Sequence, residues 1–137
     1  MKVLIAILCL SVGILSCQQD ENINLTPENT PSVNDFLRNQ NGLRIPEFIE
    51  EGIDETSEFS PYLFLFKEDG TVTAERTNES INGTYLVFRD DNRTELQMTF
   101  PGNSALRELS DDWYFISQNA NTIRFDDSGD ILQFQKQ

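Results

Sequence analysis

Apolar positions along the chain follow three different patterns. Val3 to Leu15 is an almost continuous apolar run of about 13 residues, short of the ~20 helical residues that span a bilayer. Val33, Phe36 and Leu37 stand at i, i+3 and i+4, on one face of a helix. From Gly42 onward, short apolar runs are broken by turn residues at roughly the 8–12-residue spacing of an all-β domain. The alternation is clearest in the segment 94–100. Leu96, Met98 and Phe100 are expected to face a core there, while Glu95, Gln97 and Thr99 face water.

The pattern predicts eight strands, at 43–49, 62–66, 71–76, 83–89, 94–100, 113–117, 122–126 and 131–136. Asp69-Gly70 and Asp127-Ser128-Gly129 are hairpin signals, Asp90-Asp91-Asn92 is a further turn, and the polar stretch 77–82 reads as a loop. Pro46 marks an edge or a bulge in the first strand. Ser104 begins a helical turn carrying Leu106 and Leu109. Short connections force antiparallel neighbours. A single eight-stranded sheet of this length must curl, and closing it removes its exposed edges. The expected fold is therefore all-β: one antiparallel meander barrel of about eight strands, with a two-sheet sandwich as the rival. A short helix at 32–41 precedes it, with the capping-box pattern Ser32–Asp35 at its start and Asn41-Gly42 at its stop. A helix this short needs a surface to pack on, and the open end of a barrel would supply one.

The first apolar run has the form of a secretory signal, with Lys2 ahead of it and a small residue behind it. Its end, Ile14-Leu15-Ser16-Cys17, resembles a lipobox, in which the cysteine becomes a lipidated N-terminus. More than one acyl chain makes such anchoring stable. The expected organisation is a signal at 1–16, a lipidated flexible tether at 17–31 that is polar and carries Pro27 and Pro31, the helix at 32–41, and the barrel at 42–137. Gln18-Gln19-Asp20-Glu21-Asn22 resembles the acidic patch by which some gram-negative bacteria send lipoproteins to the outer leaflet. The expected location is the cell envelope, anchored to the outer membrane of a gram-negative bacterium, with the periplasmic and surface faces both open.

Composition narrows the chemistry. Beyond residue 17 the chain carries 9 basic and 23 acidic side chains, a balance that repels phosphate backbones and anionic headgroups. Nucleic acid is excluded as a partner on this ground, and the membrane is reached through the lipid anchor alone. Histidine is absent, which removes Ser-His-Asp and Cys-His catalysis and every His-based zinc site. Both cysteines, Cys9 and Cys17, lie in the first 17 residues, so the domain must stand on core packing without a disulfide.

Several segments together resemble the lipocalin-like domains of bacterial lipoproteins: Phe66-Lys67-Glu68-Asp69-Gly70-Thr71-Val72-Thr73-Ala74, then Gly83-Thr84-Tyr85, then Leu109-Ser110-Asp111-Asp112-Trp113, then Ile123-Arg124-Phe125. The resemblance covers roughly residues 42–137. It implies an eight-stranded up-and-down barrel, exported and anchored, and it implies no catalytic residues.

Two sets of residues are candidates for a site. Tyr62, Phe64, Tyr85, Met98, Phe100, Trp113, Phe115, Phe125 and Phe134 fall on the inner face and are the candidate lining of a cavity for an apolar ligand. An eight-stranded barrel is only just wide enough to be filled by its own side chains, so the same residues equally form a packed core. Asp126, Ser128 and Asp130 alternate as oxygen ligands do in calcium loops, but the spacing matches no EF-hand and hairpin turns use the same residues. Neither a metal nor a cofactor is expected. Paired carboxylates can hydrolyse glycosides at the right separation, yet 23 acids bring some pair close by number alone, and no enzyme is expected. The reading is a non-catalytic binding domain, its candidate ligand a small apolar molecule inside the barrel. The alternative is an accessory lipoprotein with a fully packed core that contacts another envelope protein through its outer surface. Interior volume separates the two, a connected void of ~300 Å³ or more favouring the ligand.

Overall fold

The structure is a computed structural model and describes residues 30–137. The signal at 1–16, Cys17 and nearly all of the tether lie outside the described residues. The elements run α1 (Thr30–Leu37), β1 (Leu43–Glu50), β2 (Ile53–Asp54), α2 (Thr56–Phe59), β3 (Leu63–Phe66), β4 (Thr71–Arg76), β5 (Glu79–Asp90) and β6 (Arg93–Thr99). A 3₁₀ turn (Arg107–Leu109), β7 (Asp112–Gln118), β8 (Thr122–Asp127) and β9 (Asp130–Lys136) complete the chain.

All strand pairs are antiparallel, and successive strands from β3 to β9 are neighbours. β1 then pairs with β9 from Leu43↔Lys136 to Ile49↔Ile131, which closes an eight-stranded barrel of β1 and β3–β9. The two-residue β2 stands outside the ring as a short flap on β1. The ladder of β1 shifts register between Arg44 and Glu47, so Pro46 sits in the bulge its missing N–H requires. The seam on the other side of β1 is thin. β1 meets β3 through the single pair Leu43↔Phe64, and further along β1 packs with α2. There Thr56 Oγ1 accepts from the Phe48 N–H at 2.9 Å and donates to the Phe48 carbonyl at 3.4 Å.

Antiparallel alternation sorts the connections onto two ends. The β3–β4, β5–β6 and β7–β8 turns share one end with α1. The β1–β2, β4–β5, β6–β7 and β8–β9 connections share the other with α2 and the 3₁₀ turn. Val33, Phe36 and Leu37 are buried, so α1 lays its predicted apolar face over its end of the barrel. Phe59, Leu106 and Leu109 are buried at the opposite end. Between these plugs, the inward positions of every strand form one apolar cluster.

Four expectations are corrected. The helix begins at Thr30 rather than Ser32, so Ser32 lies inside it, and its Oγ accepts from Gln118 Nε2 at 3.3 Å instead of capping. The stretch 77–82 is not a loop. Asn78 adopts the left-handed conformation (φ 61°), which makes a tight turn, and β5 starts four residues earlier than the hydrophobic pattern indicated. β2 and α2 occupy a segment in which no element was expected. Leu96 and Met98 of β6 and Phe100 just beyond it are buried, and Gln97 and Thr99 are exposed, but Glu95 is only 4% exposed. It points away from the core and is covered there: Phe88 and Tyr114 are its cross-strand partners, and the Arg93 guanidinium lies 3.8 Å from the centre of the Tyr114 ring.

Candidate functional site

The inner aromatic residues meet one another. Phe64 packs edge-on against Phe134 at 5.5 Å between centroids and against Phe100 at 6.4 Å. Phe134 meets Phe66 at 5.5 Å, and Phe66 meets Tyr85 at 4.9 Å, again edge to face. Toward the α2 end, Phe48 contacts Phe59 at 4.5 Å and Trp113 at 5.8 Å. Such edge-to-face pairs match the positive rim of one ring to the negative face of the next, and each adds ~0.5–1.5 kcal/mol beyond area burial.

Of the nine candidate lining residues, Tyr62, Phe64, Tyr85, Met98, Phe100, Trp113, Phe125 and Phe134 are buried, and Phe115 is half-buried against Phe125 at 6.1 Å. The three with polar tips send them to specific partners. Tyr62 Oη donates to Glu79 Oε2 at 3.0 Å, and burial together with that bond pushes the phenol pKa up. Tyr85 Oη donates to the Lys67 carbonyl at 2.6 Å and accepts from Arg38 Nε at 2.9 Å, which ties α1 to the β3–β4 turn. Trp113 Nε1 donates to the Leu109 carbonyl at 3.1 Å and pins the 3₁₀ turn to the core. Phe48 and Phe59 belong to the same aromatic set and were missed. Phe48 stands behind the bulge at Pro46, which shifts its phase, and Phe59 is a lone ring in a polar stretch.

Among the described residues, these outward clefts stand out. One, about 330 Å³, runs between α2 and the β6–β7 connection and is lined by Asp54, Glu55, Glu58, Phe59, Arg107 and Glu108, with Ser57, Ser104 and Ala105. The other, about 290 Å³, lies between α1, the β3–β4 turn and β5, and includes Arg38, Glu68, Asp69, Tyr85 and Leu86.

Beside the first cleft, carboxylate oxygens of Glu50, Glu55 and Glu108 lie within 4.8 Å of one another. Burial, then the charges of Glu108 and Glu55, hold the Glu50 carboxyl above its ordinary pKa. A hydrogen bond to Glu108, then burial, does the same for Glu55. Carboxyl groups this close are relieved by a shared proton or by a hard cation. The trio joins positions 50, 55 and 108, and no local spacing in the chain signals it. Close by, burial and the neighbouring Asp111 raise the pKa of Asp127.

Each residue of the calcium-like set Asp126, Ser128 and Asp130 has a role in the hairpin or its surroundings. Asp126 is 3.6 Å from the Arg93 guanidinium. Ser128 holds the left-handed position of the turn (φ 50°), and Asp130 Oδ1 accepts from the Glu51 N–H at 2.8 Å. These three residues serve the β8–β9 hairpin and its neighbours.

No family model matches the chain, and no curated protein matches it. Among solved structures, the crystal structure of a DUF4847 family protein from Bacteroides vulgatus ATCC 8482 is similar, with a TM-score of 0.43 and 23% identity. The similarity covers 59% of this chain and 64% of that one. The closed antiparallel eight-stranded barrel fits a lipocalin-like architecture.

Proposed function

We propose that this is an exported, lipid-anchored envelope protein whose barrel is a non-catalytic scaffold acting through its outer surface on another envelope protein. The observation that carries the reading is the aromatic packing. Of the rings named as a cavity lining, Phe64 meets Phe100 and Phe134 edge to face, Phe66 joins Phe134 to Tyr85 in the same way, and α1 and α2 cover the ends of the barrel. Both clefts described above open outward and are lined largely by polar side chains. Of the two sequence readings this favours the packed core over the internal apolar ligand. The most exposed large apolar side chain, Ile53 on β2 at the α2 end (60% exposed), is available for contact, while Leu86 on β5 and Ile116 on β7 stay out of the core toward the α1 end.

The anchor half of the proposal rests on Ile14-Leu15-Ser16-Cys17 at the end of the apolar run. Cys17→Ala is expected to move the protein from the membrane fraction to the soluble fraction, and a variant that stays membrane-bound contradicts the lipid anchor. The barrel half is tested by titrating residues 17–137 with a fatty acid and a retinoid while following Trp113 emission, alongside native mass spectrometry of the purified protein. No spectral shift and a bare polypeptide mass are expected. A saturable shift, or a co-purifying apolar compound, would restore the ligand-binding reading.

A further inference from the structure

Charge is distributed unequally between the two ends of the barrel. Segments 50–58, 75–79, 107–112 and 127–130, which make up the α2 end, hold 12 carboxylates and only Arg76 and Arg107 as cations. The α1 end holds five carboxylates, Asp35, Glu68, Asp69, Asp90 and Asp91, against five cations, Arg38, Arg44, Lys67, Arg89 and Lys136. Along the wall Arg93 offsets Asp126 and Arg124 offsets Glu47, which leaves Glu95 as the one uncompensated charge there. Nearly the whole net negative charge of the described residues therefore sits at the end remote from α1.

The same end that is nearly neutral receives the chain from the N-terminus. Twelve residues separate Cys17 from Thr30, a reach of up to about 40 Å when extended. The barrel wall, with strands tilted, is on the order of 25 Å long. A tether of that reach lets either end touch the lipid, so its length does not fix the orientation. An anionic leaflet distinguishes the ends, because its potential acts on each charge within a Debye length of roughly 8 Å and fades beyond.

We propose that the barrel stands on its anchor with the α1 end toward the lipid headgroups and the carboxylate-rich end directed away from them. This rests on the lipid-anchor reading. It makes α1 and the β3–β4 and β7–β8 turns the membrane-facing surface, and it presents the cleft between α2 and the β6–β7 connection to the surrounding compartment.

The test couples residues 17–137 through the Cys17 thiol to maleimide-headgroup lipid, because the leader carries the chain's other cysteine. A donor dye is placed through an azide-bearing residue at exposed Ala120 on the α1 end, or at exposed Thr77 on the α2 end. Transfer to a headgroup acceptor is read on vesicles of phosphatidylcholine with about 30% phosphatidylglycerol at low salt. Higher transfer from Ala120 than from Thr77 is expected. The difference should shrink on pure phosphatidylcholine and at roughly 1 M salt, where the screening length falls to about 3 Å. Combining Glu51→Lys, Glu58→Lys and Glu75→Lys, all exposed positions, should shrink the difference on anionic vesicles. Equal transfer from both sites, higher transfer from Thr77, or a difference indifferent to salt, lipid charge and the lysine variant would overturn the proposal. Chemical coupling supplies the link whatever the cell does, so failure here is separate from failure of Cys17→Ala to release the protein.

Discussion

Phe64→Ala is the most informative single perturbation of the barrel. The Phe64 ring is fully buried and contacts Phe134 and Phe100 edge-on and Tyr62 at a tilt. Truncation to a methyl group opens a void on the order of 100 Å³, which at ~24 cal/mol per Å³ costs about 2.4 kcal/mol. Lost transfer of the ring carbons adds roughly 2 kcal/mol, for a total near 4 kcal/mol, within the ~3–5 kcal/mol seen for Phe→Ala in cores. For a domain of this size that lowers Tm by roughly 15 °C, readable from urea and thermal melts followed by Trp113 emission. The new void is apolar and dry, so the variant should regain stability on adding benzene, while the parent protein should not respond. A loss below ~1 kcal/mol, or a parent protein stabilised by benzene as strongly as the variant, would mean that the interior already contains space and that the packing argument is wrong.

Other outcomes follow from the same contacts. Glu50, Glu55, Glu95 and Asp127 all have folded-state pKa values above their ordinary ones, so the folded state binds more protons than the unfolded one. Stability should therefore rise as pH falls from neutrality through the raised values toward ~4.3, the ordinary Glu value. Asp54 and Asp69 are held low by hydrogen bonds from Thr56 and Thr71, and the stability they contribute is lost as pH falls below the ordinary Asp value of ~3.9. Melting temperature against pH should thus peak in the mildly acidic range, and Glu108→Gln should raise the neutral-pH value and flatten the slope. A curve that falls steadily from pH 7 downward would contradict this. Gly83→Ala should cost about 1–3 kcal/mol, because its Cβ would lie 2.6 Å from the Thr99 carbonyl and 2.7 Å from the Phe100 ring; an unchanged urea midpoint would show that β5 and β6 are not so closely apposed. Trp113→Phe should cost about 1–3 kcal/mol by leaving the Leu109 carbonyl without its indole donor, and a melt identical to the parent would show that this bond is not formed.

The barrel was legible in the sequence wherever one face of a strand is dry and the other wet. β4 alternates over its first four residues and β6 from Leu96 onward, and Asp69-Gly70 and Ser128-Gly129 supply turn chemistry that matches the glycines at φ 84° and 105°. Pro46 announced the bulge in β1 because a residue without an N–H has few other places in a ladder. The start of β5 was illegible because residues 79–82 are at most partly buried and Ile81 is their single apolar side chain, too little contrast to mark them as strand. β2 and α2 are held by contacts from a distance, chiefly the hydroxyl of Thr56 on the Phe48 backbone, and leave almost no periodic trace. Glu95 shows the limit of alternation. An outward position is dry when cross-strand neighbours such as Phe88 and Tyr114 lean over it. The members of the aromatic core were largely readable, but whether they meet or line a void depends on barrel diameter and ring orientation, which period-2 patterning does not encode. The Glu50–Glu55–Glu108 trio depends on the β6–β7 connection folding back onto the end of β1, a long-range event.

The central claim, that the rings named as a pocket lining instead fill the barrel, is tested most directly by aromatic-to-aromatic NOEs in the isotope-labelled domain. Cross-peaks linking the Phe64 ring to Phe134 and Phe100, and Phe66 to Tyr85, are predicted without any added ligand. Their absence, with NOEs from those ring protons to water or to a co-purified lipid, would contradict it.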